Sequence, residues 1–236
     1  MPTDLPDLYL AKLAEQAGRF DDMLEHMRKV CTAREGALAL EERNMLSVAF
    51  KNVVSQRRSS LRILSHLLKR EADMGGKKTA QIQAYDTKIQ VELQGLCNSI
   101  ITLLDGSLIK KAENSEAKVF YLKMKADYFR YLSEFAVPSD KKSYADQAAT
   151  SYEKASVLAS SQLAPTHPVR LGLALNYSVF KYEAQEHHTE ACAIAKQAFN
   201  DALDGLDQVD DETYKDAALI MQLLKDNLGL WQEPES

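Results

Sequence analysis

Cysteine, glycine and proline are scarce in this sequence of 236 residues, which has 3 cysteines, 9 glycines and 6 prolines. Cys31, Cys97 and Cys192 lie far apart and form no Cys-x-x-Cys pair, which argues against a disulfide scaffold and a zinc module. We interpret them as reduced core thiols of a cytosolic protein. The histidines lack the His-x-x-x-His and Glu-x-x-His spacings of metal sites, so we expect no bound metal.

An excess of positive charge is also missing, because the formal net charge is −5. That balance argues against general binding to nucleic acid or to an anionic membrane, although a local basic pocket remains compatible with it. The N-terminus has no apolar signal-peptide segment, and no apolar run is long enough to cross a bilayer. Gly-x-Ser-x-Gly and phosphate-cradling glycine loops are absent as well, so we expect a cytoplasmic protein without catalytic activity or cofactor.

The apolar pattern is helical throughout. Apolar residues recur at intervals of three and four, as in Leu46, Phe50 and Val53, and strand alternation is absent. We predict an all-α chain with helices at about 3–17, 20–33, 40–72, 77–110, 116–136, 139–163, 168–186, 189–207 and 212–231. Helices of such length favour one open array of antiparallel helices over residues 1–236, with 232–236 as a short tail. The Pro-rich stretch 162–168 could instead separate two halves.

Two basic clusters stand out on the predicted helices. Lys51, Arg58 and Arg62 lie within about 20° of one stripe on the third helix, where an anionic ligand would relieve their mutual repulsion. On the fifth helix, Lys123, Asp127 and Arg130 share a face of about 60°, with Tyr131 beside them. An arginine fork matches phosphate oxygens, and Asp127 could orient it. The alternatives are a solvated basic face and an ordinary Asp–Arg surface pair.

Two further stripes combine polar and apolar groups. On the seventh helix, Asn176 and Glu183 share a face with Leu175 and Val179, and an amide can pair with a peptide backbone. The last helix carries an apolar stripe with one amide, formed by Leu219, Ile220, Leu223, Asn227, Leu230 and Trp231. Spacing alone is equally compatible with a polar edge on a core helix, and an apolar helical stripe more often belongs to a core.

Eight strings along the chain resemble the 14-3-3 family, and they occur in the same order. They are LAEQA (13–17), EERN (41–44), LSVAFKNVV (46–54), RRSS (57–60), KVFYLKMK (118–125), PTHPVRLGLALN (165–176), YKD (214–216) and LIMQLLKDNL (219–228). The resemblance implies nine antiparallel helices per subunit and a cup-shaped homodimer with an amphipathic groove in each subunit. It implies a phosphoserine- and phosphothreonine-dependent adaptor that binds phosphorylated client proteins in signalling.

The same resemblance assigns roles to the stripes. Lys51, Arg58, Arg130 and Tyr131 match phosphate-binding positions. The neighbouring groove positions are Arg62, Lys123, Asp127, Leu175, Asn176, Val179, Glu183, Leu219, Ile220, Leu223, Asn227, Leu230 and Trp231. The dimer positions are Leu13, Arg19, Asp22, Ser60, Leu61, Tyr85, Lys88 and Glu92, with Arg19 and Asp22 pairing across the interface with Lys88 and Glu92.

Four residues are unusual for the family, one of them Gly229, which lies in the last helical turn beside the apolar wall, where a glycine could loosen the helix. Leu61 replaces a usual tryptophan, Ala39 replaces a capping Ser or Thr, and Lys181 replaces a usual aromatic residue. Two other functions compete with the adaptor: a phosphate-independent scaffold of the tetratricopeptide type, which would bind phosphorylated and plain peptides equally, and an enzyme with an unrecognised site. A heterodimer with a sibling protein is compatible with the sequence.

Overall fold

The structure is a computed structural model that describes residues 6–232, and within that range the chain is all-α, as predicted. Nine α-helices occupy these residues, and no strand is present among them. The helices are α1 (Pro6–Gln16), α2 (Phe20–Ala33), α3 (Leu40–Asp73), α4 (Thr79–Leu103), α5 (Ser115–Phe135), α6 (Pro138–Gln162), α7 (Pro168–Glu183), α8 (His188–Leu203) and α9 (Asp211–Gln232). The predicted first turn at 3–5 and residues 233–236 of the predicted tail lie outside the described residues.

The fourth helix differs from its prediction at its C-terminal end. We predicted a continuous helix over 77–110, but α4 ends at Leu103 and a π-helix follows over Leu104–Leu108. The wider turn is visible in the backbone, where the Ile109 N–H donates to the Leu104 carbonyl oxygen at 3.0 Å, five residues back. Leu104 and Leu108 are both buried, so the extra residue is accommodated without exposing either side chain.

The chain divides into two compact units between Lys111 and Ala112, and not at the loop over 162–168. In the N-terminal unit, α1 packs on α2, α2 on α3 and α3 on α4, and α1 also contacts α3. Its largest fully buried side chains are Met23, Met27, Leu46, Phe50, Leu61, Ile100 and Leu104. The Lys111 ammonium donates to the carbonyl oxygen of Arg34 at 2.9 Å, which fastens the end of this unit to the end of α2.

The start of α3 shows how the chain manages without a capping hydroxyl. Ala39 has no side-chain oxygen, so only half of the reciprocal capping box forms. The Ala39 N–H donates to Glu42 Oε2 at 2.9 Å, and Glu42 Oε1 accepts from Arg34 Nε at 2.9 Å. Glu42 is buried, and it therefore secures both the first turn of α3 and the end of α2.

The C-terminal unit packs α5 against α6, α7 against α5, α6 and α8, and α9 against α7 and α8. Tyr152 and Phe180 are its largest fully buried side chains. A second apolar cluster joins α7, α8 and α9 through Leu171, Ala195, Ala202, Ala217, Met221 and Leu224. Small alanines on α8 let the neighbouring helices approach closely, and this packing fixes which faces of α7 and α9 remain accessible.

Candidate ligand-binding site

The predicted basic stripe lies on one uninterrupted helix of the N-terminal unit. Helix α3 is 34 residues long, so the spacing that places Lys51, Arg58 and Arg62 on one stripe is preserved. Lys51 and Arg62 are exposed, whereas Arg58 is half-buried. Burial raises the pKa of the Cys97 thiol to about 12, and the positive charge of Arg58 opposes that rise, which places this arginine toward α4.

The second predicted cluster, in the C-terminal unit, is organised by one buried carboxylate. Asp127 Oδ2 lies 3.0 Å from the Lys123 ammonium, and Asp127 Oδ1 lies 3.5 Å from Arg130 Nη2. Both oxygens accept from the Asn176 amide nitrogen at 2.9 Å. The Tyr152 hydroxyl also donates to Oδ1 in a short hydrogen bond. We call these residues, Lys123, Asp127, Arg130, Tyr152 and Asn176, the Asp127 network.

The charges of the Asp127 network reinforce one another. Burial alone would raise the pKa of Asp127, but the nearby Lys123 and Arg130 charges and the hydrogen bonds outweigh it, so the pKa is lowered. Burial would lower the pKa of Arg130, yet Tyr152, Tyr131 and Asp127 together raise it. Burial and the Asp127 charge raise the pKa of Tyr152 well above its ordinary value. The carboxylate, the guanidinium and the neutral phenol are thus the stable forms.

Tyr152 belongs to the Asp127 network, and the sequence reasoning missed it. It is fully buried on α6, and its hydroxyl accepts from Arg130 Nε at 3.2 Å. Its ring stacks on Tyr177 at 5.1 Å between centroids, and Phe180 lies 5.3 Å away. Tyr152 is 25 positions from Asp127 along the chain, and on α6 its spacing is that of any core aromatic. The aromatic stack and the hydrogen bonds together hold Arg130 in one orientation.

Arg130 and Tyr131 lie together at the accessible side of this network. The Arg130 guanidinium carbon lies 4.7 Å from the centroid of the Tyr131 ring, a cation–π contact. The Arg130 side chain retains 12% of its exposure despite its buried partners. Tyr152 and Asp127 hold Nε and Nη2 of Arg130, and the exposed part of its side chain is a candidate contact for an anion.

The predicted amide and apolar positions divide into half-buried and exposed members. Asn176 turns its amide nitrogen to Asp127, so its carbonyl oxygen is the atom that it can offer to a ligand N–H. Leu175, Ile220 and Trp231 pack partly against the apolar cluster of α7, α8 and α9, and Trp231 stacks on Tyr182 at 4.6 Å. Glu183 on α7 and Leu219, Leu223 and Leu230 on α9 are exposed, whereas Asn176, Val179 and Asn227 are half-buried.

The predicted dimer positions lie in the N-terminal unit, and their roles at an interface stay predictions. Leu61 is 1% exposed within a single chain, so it is a core residue with almost no surface left to give to a partner. Leu13 and Tyr85 are exposed apolar side chains, as their predicted role requires. The charged dimer positions have partners within the chain: Arg19 is paired with Asp22, Lys88 lies 5.9 Å from the Tyr85 ring centroid, and Glu92 lies 3.4 Å from Arg57.

Comparisons with known proteins decide the family. A sequence model described as "14-3-3 protein" matches residues 10–232. The chain belongs to the 14-3-3 family. It is 51% identical over 227 residues to the 14-3-3-like protein F of Nicotiana tabacum, covering 95% of this chain and 88% of the relative. It is 50% identical over 226 residues to the 14-3-3-like protein GF14 omega of Arabidopsis thaliana, covering 95% and 87%.

A fungal relative is equally similar. The checkpoint signal transducer rad24 of Schizosaccharomyces pombe is 51% identical over 227 residues, covering 95% of this chain and 83% of the relative. The resemblance that the eight strings indicated is thus confirmed, and 14-3-3 membership supports an adaptor role in signalling. Among residues 6–232, no helix is long and apolar enough to span a membrane, and no group of His, Cys, Asp or Glu is placed to hold a metal ion.

The structure brings together the predicted residues of α5 and α7, which lie 49 positions apart at Asp127 and Asn176. Lys51, Arg58 and Arg62 belong to the N-terminal unit. Their convergence with Arg130 on one ligand stays a prediction.

Proposed function

We propose that this 14-3-3 chain is a phosphoserine- and phosphothreonine-dependent adaptor that binds phosphorylated client proteins in the cytoplasm and has no catalytic activity. Each subunit would contribute one groove, and both compact units would belong to one domain, since the family match runs through residues 10–232. A phosphorylated side chain carries about −2 charge and three strong acceptor oxygens. Its binding site must supply several donors, at least two of them cationic.

The observation that carries this proposal is the Asp127 network. An exposed, mobile arginine would lose side-chain entropy on binding a phosphate, but Arg130 is already held by Asp127 and by the Tyr152 hydroxyl. Lys123 compensates the Asp127 charge, so the network as a whole keeps one positive charge. The network therefore presents a fixed cationic edge with Tyr131 beside it, which suits a tetrahedral anion.

The stripe on α3 would supply the remaining charge. Lys51, Arg58 and Arg62 add three cations on one face, and each charge-assisted hydrogen bond to phosphate contributes roughly 1.5–3 kcal/mol. We propose that Lys51, Arg58, Arg130 and Tyr131 bind one phosphate together and that Arg62 and Lys123 flank it. A neutral hydroxyl at the same position would form weaker hydrogen bonds than a phosphate dianion does, so we expect the affinity to depend on phosphorylation.

The rest of the groove would bind the peptide around the phosphorylated residue. The Asn176 carbonyl oxygen and the Asn227 amide are suited to an extended peptide backbone, and Glu183 closes the polar side. Exposed leucines on α9, Leu219, Leu223 and Leu230, form an apolar wall for flanking side chains, with Leu175, Val179, Ile220 and Trp231 behind or beside it. Burial of flanking apolar groups contributes roughly 25 cal/mol of favourable free energy per Å2 of apolar surface removed from water.

We propose that two chains form a homodimer through the N-terminal unit. Leu13 and Tyr85 offer exposed apolar surface, and the paired charges Arg19 and Asp22 could exchange partners with Lys88 and Glu92 of a second chain. Two grooves in one dimer would raise the affinity for a doubly phosphorylated client through a high effective concentration. A heterodimer with a sibling chain would use the same surface.

The test is calorimetric titration of the full chain with a phosphoserine peptide and its unphosphorylated twin. We expect binding of the phosphorylated peptide alone, and loss of that binding in Arg58→Ala and in Arg130→Ala. The matched control is Arg70→Ala, which removes an exposed arginine of α3 about 100° from the basic stripe. Equal affinity for the two peptides would support the phosphate-independent scaffold instead.

Convergence of the two units on one phosphate has its own test. If Arg58 and Arg130 bind the same group, the double variant Arg58→Ala/Arg130→Ala should lose less than the sum of the two single losses in binding free energy. Strictly additive losses would indicate two separate sites and would contradict the shared phosphate.

A further inference from the structure

A slot in the C-terminal unit lies away from the proposed groove. Its volume is about 450 Å3, and helices α6, α7 and α8 line it. That volume falls within the range of about 300–1,000 Å3 that small-molecule sites occupy. On α7, the slot residues Arg170, Leu173 and Tyr177 lie within about 60° of one another, whereas Asn176 and Val179 lie about 100° and 160° around the helix from Tyr177. The slot and the proposed groove thus use different faces of α7.

The walls of the slot are mostly apolar. The slot stays open because several of the residues that line it have small side chains. Ala159 contributes from α6, Ala174 from α7, and Ala198 and Ile194 from α8. Tyr177 forms part of one wall and is held there by its stack on Tyr152, so this wall is rigid. A planar or branched apolar group of modest size suits these surroundings.

One end of the slot carries a cation that is only partly compensated. Arg170 Nη1 donates to the carbonyl oxygen of Leu163 at 2.8 Å, which fixes the guanidinium at the end of α6. Arg170 Nη2 lies 3.8 Å from Asp201 Oδ2, which is beyond hydrogen-bonding distance. Asp201 already accepts a short hydrogen bond from Gln197 through its other oxygen. The Arg170 side chain is 23% exposed, and the Nε–Nη2 edge of a guanidinium has the geometry to pair with the two oxygens of a carboxylate.

We propose that this slot is a binding site for a small molecule with a single carboxylate on a compact apolar body. The carboxylate would pair with the Arg170 edge, and the apolar body would lie between Tyr177 and the alanines of α6 and α8. Asp201 favours a ligand with a single negative charge, because its own negative charge beside the site repels a dianion more strongly than a monoanion. A phosphate monoester is therefore disfavoured here, in contrast to the proposed groove.

The experiment titrates the full chain with three probes that share one ring system: 2-naphthoate, neutral 2-naphthamide and dianionic 2-naphthyl phosphate. Protein-observed NMR follows the shifts of slot residues. We expect 2-naphthoate to bind at least about tenfold more tightly than the amide, the effect of one charge-assisted pair, and also more tightly than the phosphate. Comparable affinity of the amide, or shifts confined to residues outside the slot, would overturn the proposal.

Two variants of the Arg170–Asp201 ion pair should change the affinity for 2-naphthoate in opposite directions. Arg170→Gln should weaken 2-naphthoate binding at least about tenfold, whereas Asp201→Asn should strengthen it severalfold because a repelling charge is removed. Both variants lose the same ion pair, so a general loss of stability cannot produce opposite signs. Arg28→Gln, in the N-terminal unit, controls for loss of one positive charge and should leave affinity unchanged. Weaker binding in Asp201→Asn would refute the proposed arrangement.

Discussion

The Tyr152 hydroxyl offers the sharpest test of the Asp127 network. Tyr152→Phe removes one oxygen that donates to Asp127 and accepts from Arg130 Nε at 3.2 Å. The ring remains, and with it the stack on Tyr177 and the contact with Phe180. The perturbation is therefore confined to two hydrogen bonds, each with a charged partner, in a fully buried environment.

The expected loss follows from those two bonds. Hydrogen bonds to charged groups contribute about 1.5–3 kcal/mol each. Asp127 keeps Lys123 and Asn176 as partners, so part of the loss is recovered, and we expect about 2–4 kcal/mol less free energy of unfolding. For a chain of this length, that corresponds to a decrease in Tm of about 5–15 °C. Arg130 also loses a group that orients it, so the affinity for a phosphopeptide should fall severalfold.

The assay combines denaturant unfolding with calorimetric titration of a phosphopeptide. Tyr177→Phe is the matched control, because it removes a hydroxyl from the adjacent ring of the same stack without touching Asp127 or Arg130, and its effect should be smaller. A Tyr152→Phe protein that unfolds within about 0.5 kcal/mol of the parent, with unchanged phosphopeptide affinity, would show that the hydroxyl does not support the network.

Three further predictions concern charge. Glu190→Gln should destabilise the chain more than Lys181→Met does. In Glu190→Gln the Lys181 ammonium, whose side chain is 8% exposed, loses the anion that lies 3.0 Å away, whereas in Lys181→Met the Glu190 side chain, which is 50% exposed, stays hydrated. Urea unfolding of the two variants gives the comparison. Ser60→Asp should shift the proposed dimer toward monomer, because a charge at its interface must be desolvated. Sedimentation velocity measures this shift, and an unchanged dimer would contradict the prediction. The pKa of Asp127 is lower in the folded chain than its value of about 3.9 in an unfolded chain, so its ionised form stabilises the fold above about pH 3.9. This stabilisation is lost as the pH falls through the folded pKa. Asp127→Asn should therefore reduce the decrease in the free energy of unfolding that acid causes, which urea unfolding at a series of pH values measures.

The helices could be predicted because their signals are local. Prolines at 138 and 168 begin helices α6 and α7, and apolar residues at three and four mark the buried face of α3. The π-helix after α4 was not predicted, because the apolar spacing of Leu104 and Leu108 is also that of an α-helix and does not show the wider turn. The boundary between the two compact units at Lys111 has no local signal either, because it reflects which helices pack together.

The candidate site was predictable where its residues share one helix. Lys123, Asp127 and Arg130 were found by angular spacing, and so was the stripe on α3. Spacing cannot show that a core tyrosine on another helix completes the network, because Tyr152 looks like any apolar position of α6. Likewise, Leu61 matched an interface position in the family, but its burial within the chain depends on tertiary packing.

The convergence of four side chains on the Asp127 carboxylate has a consequence for the thermodynamics of binding. Their rotamers become fixed when the chain folds, so this part of the conformational entropy is lost before any ligand arrives. Immobilising such a side chain at an interface costs about 0.5–1.5 kcal/mol, and Arg130 and Asn176 would largely avoid that cost on binding the proposed ligand. The proposed recognition surface would thus be preorganised by a carboxylate that the ligand itself would not touch.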